Sequence, residues 1–203
     1  VKPDWVIVFD RVTSADATNQ KKFILHAGET ITTAGDTATL NVSTLPGTTA
    51  AGKLFMKKVL PAAAGLSLVG GTGSEFYYDG LNHPYVTAPY GDQIAGKWRL
   101  EEAAPLDADT WFLNVFFATT AATADMPEVQ LVSETADDVT IAINAGQTQI
   151  TFNKTGAVGY SITGGLAVQI TTTALPGAAQ SVPYTATIQT SGGTPPFSWS
   201  VTA

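Results

Sequence analysis

The sequence predicts an all-β fold, an antiparallel β-sandwich, and three observations predict it. Short runs of strand-forming residues recur at close spacing, each bounded by Gly, Pro, Asn or Asp. No segment sustains the ~3.6-residue apolar period of an amphipathic helix over about ten residues. Only 13% of the 203 residues are charged while 44% are hydrophobic, so uncharged polar residues fill the remainder. Much of that remainder is Thr, in TSADAT, ETITTAGDTATL, STLPGTTA, ATTAATAD and ITTTALPG. Thr is β-branched and competes with helical hydrogen bonding, so it suits strands and turns.

The clearest strand candidates, in chain order, are DWVIVFDRV, KKFILHA, TATLNVS, GKLFMKKVLP, KWRLEEA, TWFLNVFFA, EVQLVSE, DVTIAINA and QTQITFNK. DWVIVFDRV and TWFLNVFFA are apolar at successive positions, which predicts burial on both faces between two layers. In GKLFMKKVLP, Leu54 and Met56 fall on one face and Phe55 and Lys57 on the other. TIAINAGQTQITF alternates on both sides of Asn144-Ala145-Gly146, which reads as a β-hairpin. Composition changes near Gly164-Gly165: all ten basic and all seventeen acidic residues precede it. The uncharged tail reads either as a Thr/Pro linker or as short strands. Alternation in YTATIQT (Tyr184, Ala186, Ile188) and FSWSV (Phe197, Trp199, Val201) favours strands. The expected division is residues 1–163 and 164–203.

Charge limits the partners. Ten Lys and Arg against seventeen Asp and Glu give −7, with a pI near 4.6. Nucleic acid and anionic membrane surfaces would meet no attractive field, so neither is an expected partner. An anionic polysaccharide would need a local basic patch. Lys53, Lys57 and Lys58 form one candidate and Arg11, Lys21 and Lys22 another; the competing reading is solvated lysines that guard strand edges. No apolar stretch approaches the ~20 residues of a membrane span. Absent cysteine suits a disulfide-free secreted protein as well as a cytosolic one. The chain opens on Val and enters an apolar run almost at once, so it is expected to be part of something longer.

Few residues carry recognisable chemistry. The densest polar and aromatic cluster is Tyr77, Tyr78, Asp79, Asn82, His83, Tyr85 and Tyr90. Sugar rings present apolar C–H faces to aromatic rings and hydroxyls to Asp and Asn, so this mixture suits a carbohydrate site on a loop. The alternative is that the rings pack beneath the loop and cap a sheet edge. Trp5, Trp98, Trp111 and Trp199 have apolar neighbours and read as core. His26 ends the strand KKFILHA and His83 precedes Pro84. Two His and no Cys make a protein-only zinc site dependent on carboxylates. Asp107, Asp109, Asp125, Asp137 and Asp138 offer loop oxygens, which makes calcium the remaining candidate cofactor. No twelve-residue calcium loop occurs, the competing reading is solvated loop acids, and no cofactor is expected. Glu101 and Glu102 are adjacent in a strand, point to opposite faces and cannot form a glycosidase pair. No nucleophile elbow or phosphate loop is present.

Two stretches resemble known families. DWVIVFDRVTSADATNQKKFILHAGE, GKLFMKKVLPAAAGLSLVGGTGSEFYYDGLNHP and GKWRLEEAAPLDADTWFLNVFFA resemble, in that order, the C-terminal β-sandwich of heparinase II/III-like polysaccharide lyases. The likeness spans about residues 1–160. LPGAAQSVPYTATIQTSGGTPPFSWSVTA resembles the opening strands of a bacterial Ig-like domain, about residues 166–203. The first resemblance implies a secreted or periplasmic bacterial protein. Lyases of that kind eliminate uronate-linked sugars with Tyr and His, aided by Asn or Arg. Their His-x-His, Asp-Pro-Gly-like and His-Asn elements have no counterpart here, so no catalytic residue is carried over. The expectation is a non-catalytic structural or accessory carbohydrate-binding sandwich serving a catalytic region of a parent protein. Two alternatives stay open. One is a subunit of an extracellular assembly, a homo-oligomer built by strand exchange. The other is a uronate lyase using His26 or His83 with a nearby Tyr.

Overall fold

The computed structural model describes residues 5–42, 51–83, 96–143, 148–164, 169–175, 177 and 183–191, and among them every sheet is antiparallel and no helix occurs. The chain divides into two compact units, Val1–Pro127 and Glu128–Ala203.

The first unit contains β1 (Trp5–Thr13), β2 (Lys22–Ala27), β3 (Ile31–Ala34), β4 (Thr37–Val42) and β5 (Gly52–Leu60). It continues with β6 (Gly65–Gly70), β7 (Tyr77–Tyr78), β8 (Leu81–Asn82), β9 (Trp98–Ala103) and β10 (Asp109–Thr120). One sheet has the order β1-β10-β5-β4-β3, a second β2-β9-β6, and β7 pairs β8. β10 lies inside its sheet between β1 and β5, both its faces are apolar, and Phe112, Leu113, Val115 and Phe116 are all buried. The core draws on both larger sheets: Ala38, Met56 and Phe116 from the first, Ala27 and Leu100 from the second. Phe23 of β2 meets Phe112 and Phe116 of β10 at centroid separations of 6.4 Å.

Burial on both faces holds for TWFLNVFFA but not for DWVIVFDRV. β1 is the outer strand of its sheet, so Val6 is 59% exposed and Val12 36%. A sheet edge presents one flank to solvent whatever its side chains, and hydrophobicity alone does not reveal position in a sheet. The faces expected of β5 are observed, with Leu54 and Met56 packed in the core. Lys58 falls on the same face by alternation and is therefore buried. Its ammonium pairs with Asp36 at 3.0 Å and donates to the carbonyls of Pro61 and Ala62 at 3.2 and 3.0 Å. Gly35, at φ +57°, takes the first position of the two-residue β3–β4 turn that presents Asp36.

The second unit holds β11 (Val129–Glu134), β12 (Asp138–Ile143), β13 (Thr148–Asn153) and β14 (Tyr160–Gly164), in that spatial order. Among the described residues, Val139, Ile141, Ala142 and Ile143 of β12 and Ile150 of β13 are its buried hydrophobic residues, and Lys154, next in the chain after β13, is buried as well. β12 and β13 pair antiparallel, as the arms of a hairpin do, with Ile143 opposite Thr148; the predicted Asn144-Ala145-Gly146 turn lies outside the described residues. β15 (Gln169–Ile170) pairs with β16 (Thr190–Ser191). Of the predicted strand YTATIQT, only Thr190 is in a strand, and residues 184–189 are irregular. That stretch is tied back by Thr171 N donating to the Gln189 carbonyl and Gln189 N donating to Thr172 Oγ1. FSWSV lies outside the described residues.

Candidate functional site

The predicted polar and aromatic cluster begins where β6 ends. Gly70 (φ +152°) and Gly71 (φ +80°) turn the chain against Trp98. A Cβ on Gly70 would lie 2.8 Å from the Trp98 Cα and one on Gly71 3.1 Å from its ring, so the passage admits only glycine. The chain then folds into the β7–β8 hairpin, Tyr77 opposite Asn82 and Tyr78 opposite Leu81. Asp79 (φ 50°) and Gly80 (φ 79°) form its two-residue turn, the Asp-Gly combination that tolerates two successive left-handed residues.

Side chains beneath the hairpin hold it in shape. Asn82 Oδ1 accepts from the Phe76 backbone N–H at 2.9 Å, and Asn82 Nδ2 donates to Glu75 Oε2 at 3.0 Å. Gly73 N–H donates to the same Glu75 oxygen at 3.0 Å, and His83 N–H donates to the Phe76 carbonyl. Glu75 is held below the ordinary carboxylate range, first by its own backbone N–H and next by the Asn82 amide. From the neighbouring sheet Arg99 Nη1 donates to the Tyr77 carbonyl at 3.0 Å. Arg99 Nε and Lys22 Nζ each sit 2.6 Å from one oxygen of Glu101. Lys22 foremost, with Arg99, depresses the Glu101 carboxyl against the opposing effect of burial.

With the base braced, the tip projects. Tyr78 is 73% exposed, Tyr77 39% and Leu81 64%. Asp79 and His83 are exposed, and Asn82 is half-buried with its amide engaged. The structure thus brings together Tyr77, Tyr78, Asp79, Asn82 and His83; Tyr85 and Tyr90 lie outside the described residues. Asn82 is a brace rather than a free ligand group. Composition alone did not single out Glu75 and Arg99 as supports. The Asp-Gly dipeptide inside YYDGLN was the available signal for the hairpin.

The other candidates separate. His26 is exposed on β2 opposite Arg99, and its Cβ lies 3.0 Å from where a Cβ on Gly96 would stand. Trp98 packs against the core, Trp5 meets Phe117 at 4.7 Å, and Trp111 is half-buried in β10; Trp199 lies outside the described residues. Neither basic patch is a free cationic surface. Lys53 donates to the Thr123 carbonyl, Lys57 lies 3.8 Å from Asp36, and Lys58 is buried. Lys21 is buried and donates to the Asp107 carbonyl, while Lys22 serves Glu101.

Of the five candidate acids, Asp107, Asp109 and Asp137 accept local hydrogen bonds. Asp109 accepts from Thr13 Oγ1 at 2.6 Å, and Asp137 from Thr155 Oγ1 at 3.0 Å. The Lys154 ammonium enters the same turn, 2.8 Å from Glu134. Among the described residues no group of three or more His, Asp or Glu is placed to hold a metal ion. Neither a protein-family model nor a curated protein matches the chain.

Proposed function

We propose that the first unit is a β-sandwich whose five-stranded and three-stranded sheets form its two layers, and that it binds carbohydrate through the β7–β8 hairpin. This is the role of an accessory, non-catalytic module in a secreted bacterial protein of the polysaccharide-lyase kind. The observation that carries the reading is the exposure of Tyr78 beside Tyr77 and Asp79 on a braced two-residue turn. A buried ring would merely fill space; an exposed ring on a fixed backbone offers contact area without a large ordering cost. Shared core residues and the Phe23 contacts support the two-layer arrangement.

The chemistry favours a neutral glycan. The protein carries −7, Asp79 adds an exposed carboxylate at the tip, and the predicted lysine patches are occupied by internal partners. An anionic polymer would therefore approach a repulsive surface. Affinity electrophoresis in gels containing neutral or uronate-rich polysaccharides tests this. Retardation by a neutral polymer, reduced about tenfold or more by Tyr78→Ala, is the expected result. Equal migration of the wild-type and Tyr78→Ala proteins in every gel would refute it.

A second reading rests on a separate observation. All five residues of β14 are exposed, and Tyr160 and Ile162 present 69% and 57% of their surface. The strand carries no charge and no Pro. Such an edge suits addition of a strand from another copy of the chain, the route to an extracellular assembly.

A further inference from the structure

Glu102 and Asn114 are both fully buried, one in the middle strand of the β2-β9-β6 sheet and the other in β10. They meet across the two sheets, with Asn114 Nδ2 donating to Glu102 Oε2 at 2.8 Å. The two remaining oxygens, Glu102 Oε1 and Asn114 Oδ1, are buried without a hydrogen-bond partner. Both are acceptors when the carboxyl is ionised, so they cannot satisfy one another. Turning the Asn114 amide over would set its oxygen against Glu102 Oε2, again two acceptors with nothing between them. One proton resolves either arrangement.

We propose that Glu102 carries a proton in the folded protein and donates it to Asn114 Oδ1, closing an acid–amide pair that joins β9 to β10 and opens when the proton leaves. The proton comes from solvent and returns to it; no other bond is made or broken. The surroundings of the pair favour the neutral form through burial, which outweighs the charged groups nearby. Burial dominates and lifts Glu102 to about 7, Asp36 adds to the lift, and Lys58 and the Asn114 amide oppose it. Lys58 is already engaged by Asp36 and two carbonyls, and Lys57 also faces Asp36. The strand partners of Glu102, Phe23 on β2 and Leu66 on β6, are apolar.

The sign of the effect follows from the folded value lying above the ordinary 4.5. Stability is fully present below 4.5 and falls as pH rises towards 7, because the unfolded chain releases the proton first. Above 7 the loss is complete and constant. Glu102→Gln is the informative variant, since its amide can supply both hydrogen bonds and does not titrate. Denaturant unfolding of the intact chain should show the folding constant of wild type falling relative to Glu102→Gln by ~300-fold between pH 4 and 8. The 13C resonance of the wild-type Glu102 carboxyl should titrate with a midpoint near 7. A midpoint near 4.5, or a wild-type-to-variant ratio independent of pH, would overturn the proposal. Should Glu102→Gln fail to fold, the carboxyl titration alone decides.

Discussion

Glu101 and Glu102 are neighbours in one strand with opposite electrostatic fates. Alternation sends Glu101 to Lys22 and Arg99, which favour its charge, and Glu102 into the core, which disfavours it. Glu101→Gln should therefore cost about 1–2 kcal/mol at neutral pH, towards the lower figure because Lys22 is partly solvated. Its folded carboxyl lies below the ordinary 4.5, so the contribution is present above that value and lost as pH falls. Urea unfolding at neutral pH and at about pH 3 checks this: the variant's deficit should shrink in acid. A deficit equal at both would point to packing rather than charge. Adjacency in the sequence made the opposite facing of these glutamates legible. Nothing in it disclosed that both would be buried, since their partners Lys22, Arg99 and Asn114 depend on strand register.

Among elements, most strands were readable, the six-residue β2, β4, β9 and β11 as well as the long ones. β1, β5 and β10 have enough consecutive apolar residues to declare themselves, and the β12–β13 alternation declared a pairing. β3, β6 and β14 were not anticipated: ITTA, GLSLVG and YSITG are short and rich in Thr, Gly or Ser. Their pairing depends on neighbours rather than intrinsic preference. The β7–β8 hairpin belongs to the same class, legible as a cluster of residue types but not as a braced turn, because Glu75 and Arg99 act through the folded backbone. The two edges of the second unit's sheet also differ. β11 has a register shift between Leu131 and Ser133 and ends in Glu134, features that discourage further pairing. β14 has neither, and among the described residues it pairs with β13 alone. If strands of separate copies join there, light scattering should show association that Ile162→Lys abolishes while the fold persists. A wild-type chain that remains monomeric at high concentration would end that reading.

For the whole molecule, composition bounded the answer and geometry placed it. Low charge and abundant Thr made an all-β chain legible. The acidic balance disfavoured nucleic acid and anionic surfaces, and the occupied lysines extend that argument to acidic glycans. The sequence left two readings of the lysines, patch or solvated strand edge, and the burial of Lys21 and Lys58 fits neither, because counting charges along a strand ignores which face each one takes. Carbohydrate recognition by the hairpin is the central claim, and amide chemical-shift mapping of the intact chain tests it most directly. Titration with a neutral oligosaccharide should shift the amides of residues 76–83 and Arg99 in a saturable way, leaving β12 and β13 unchanged. Absence of any shift across neutral and acidic oligosaccharides, or shifts confined to the second unit, would contradict the account.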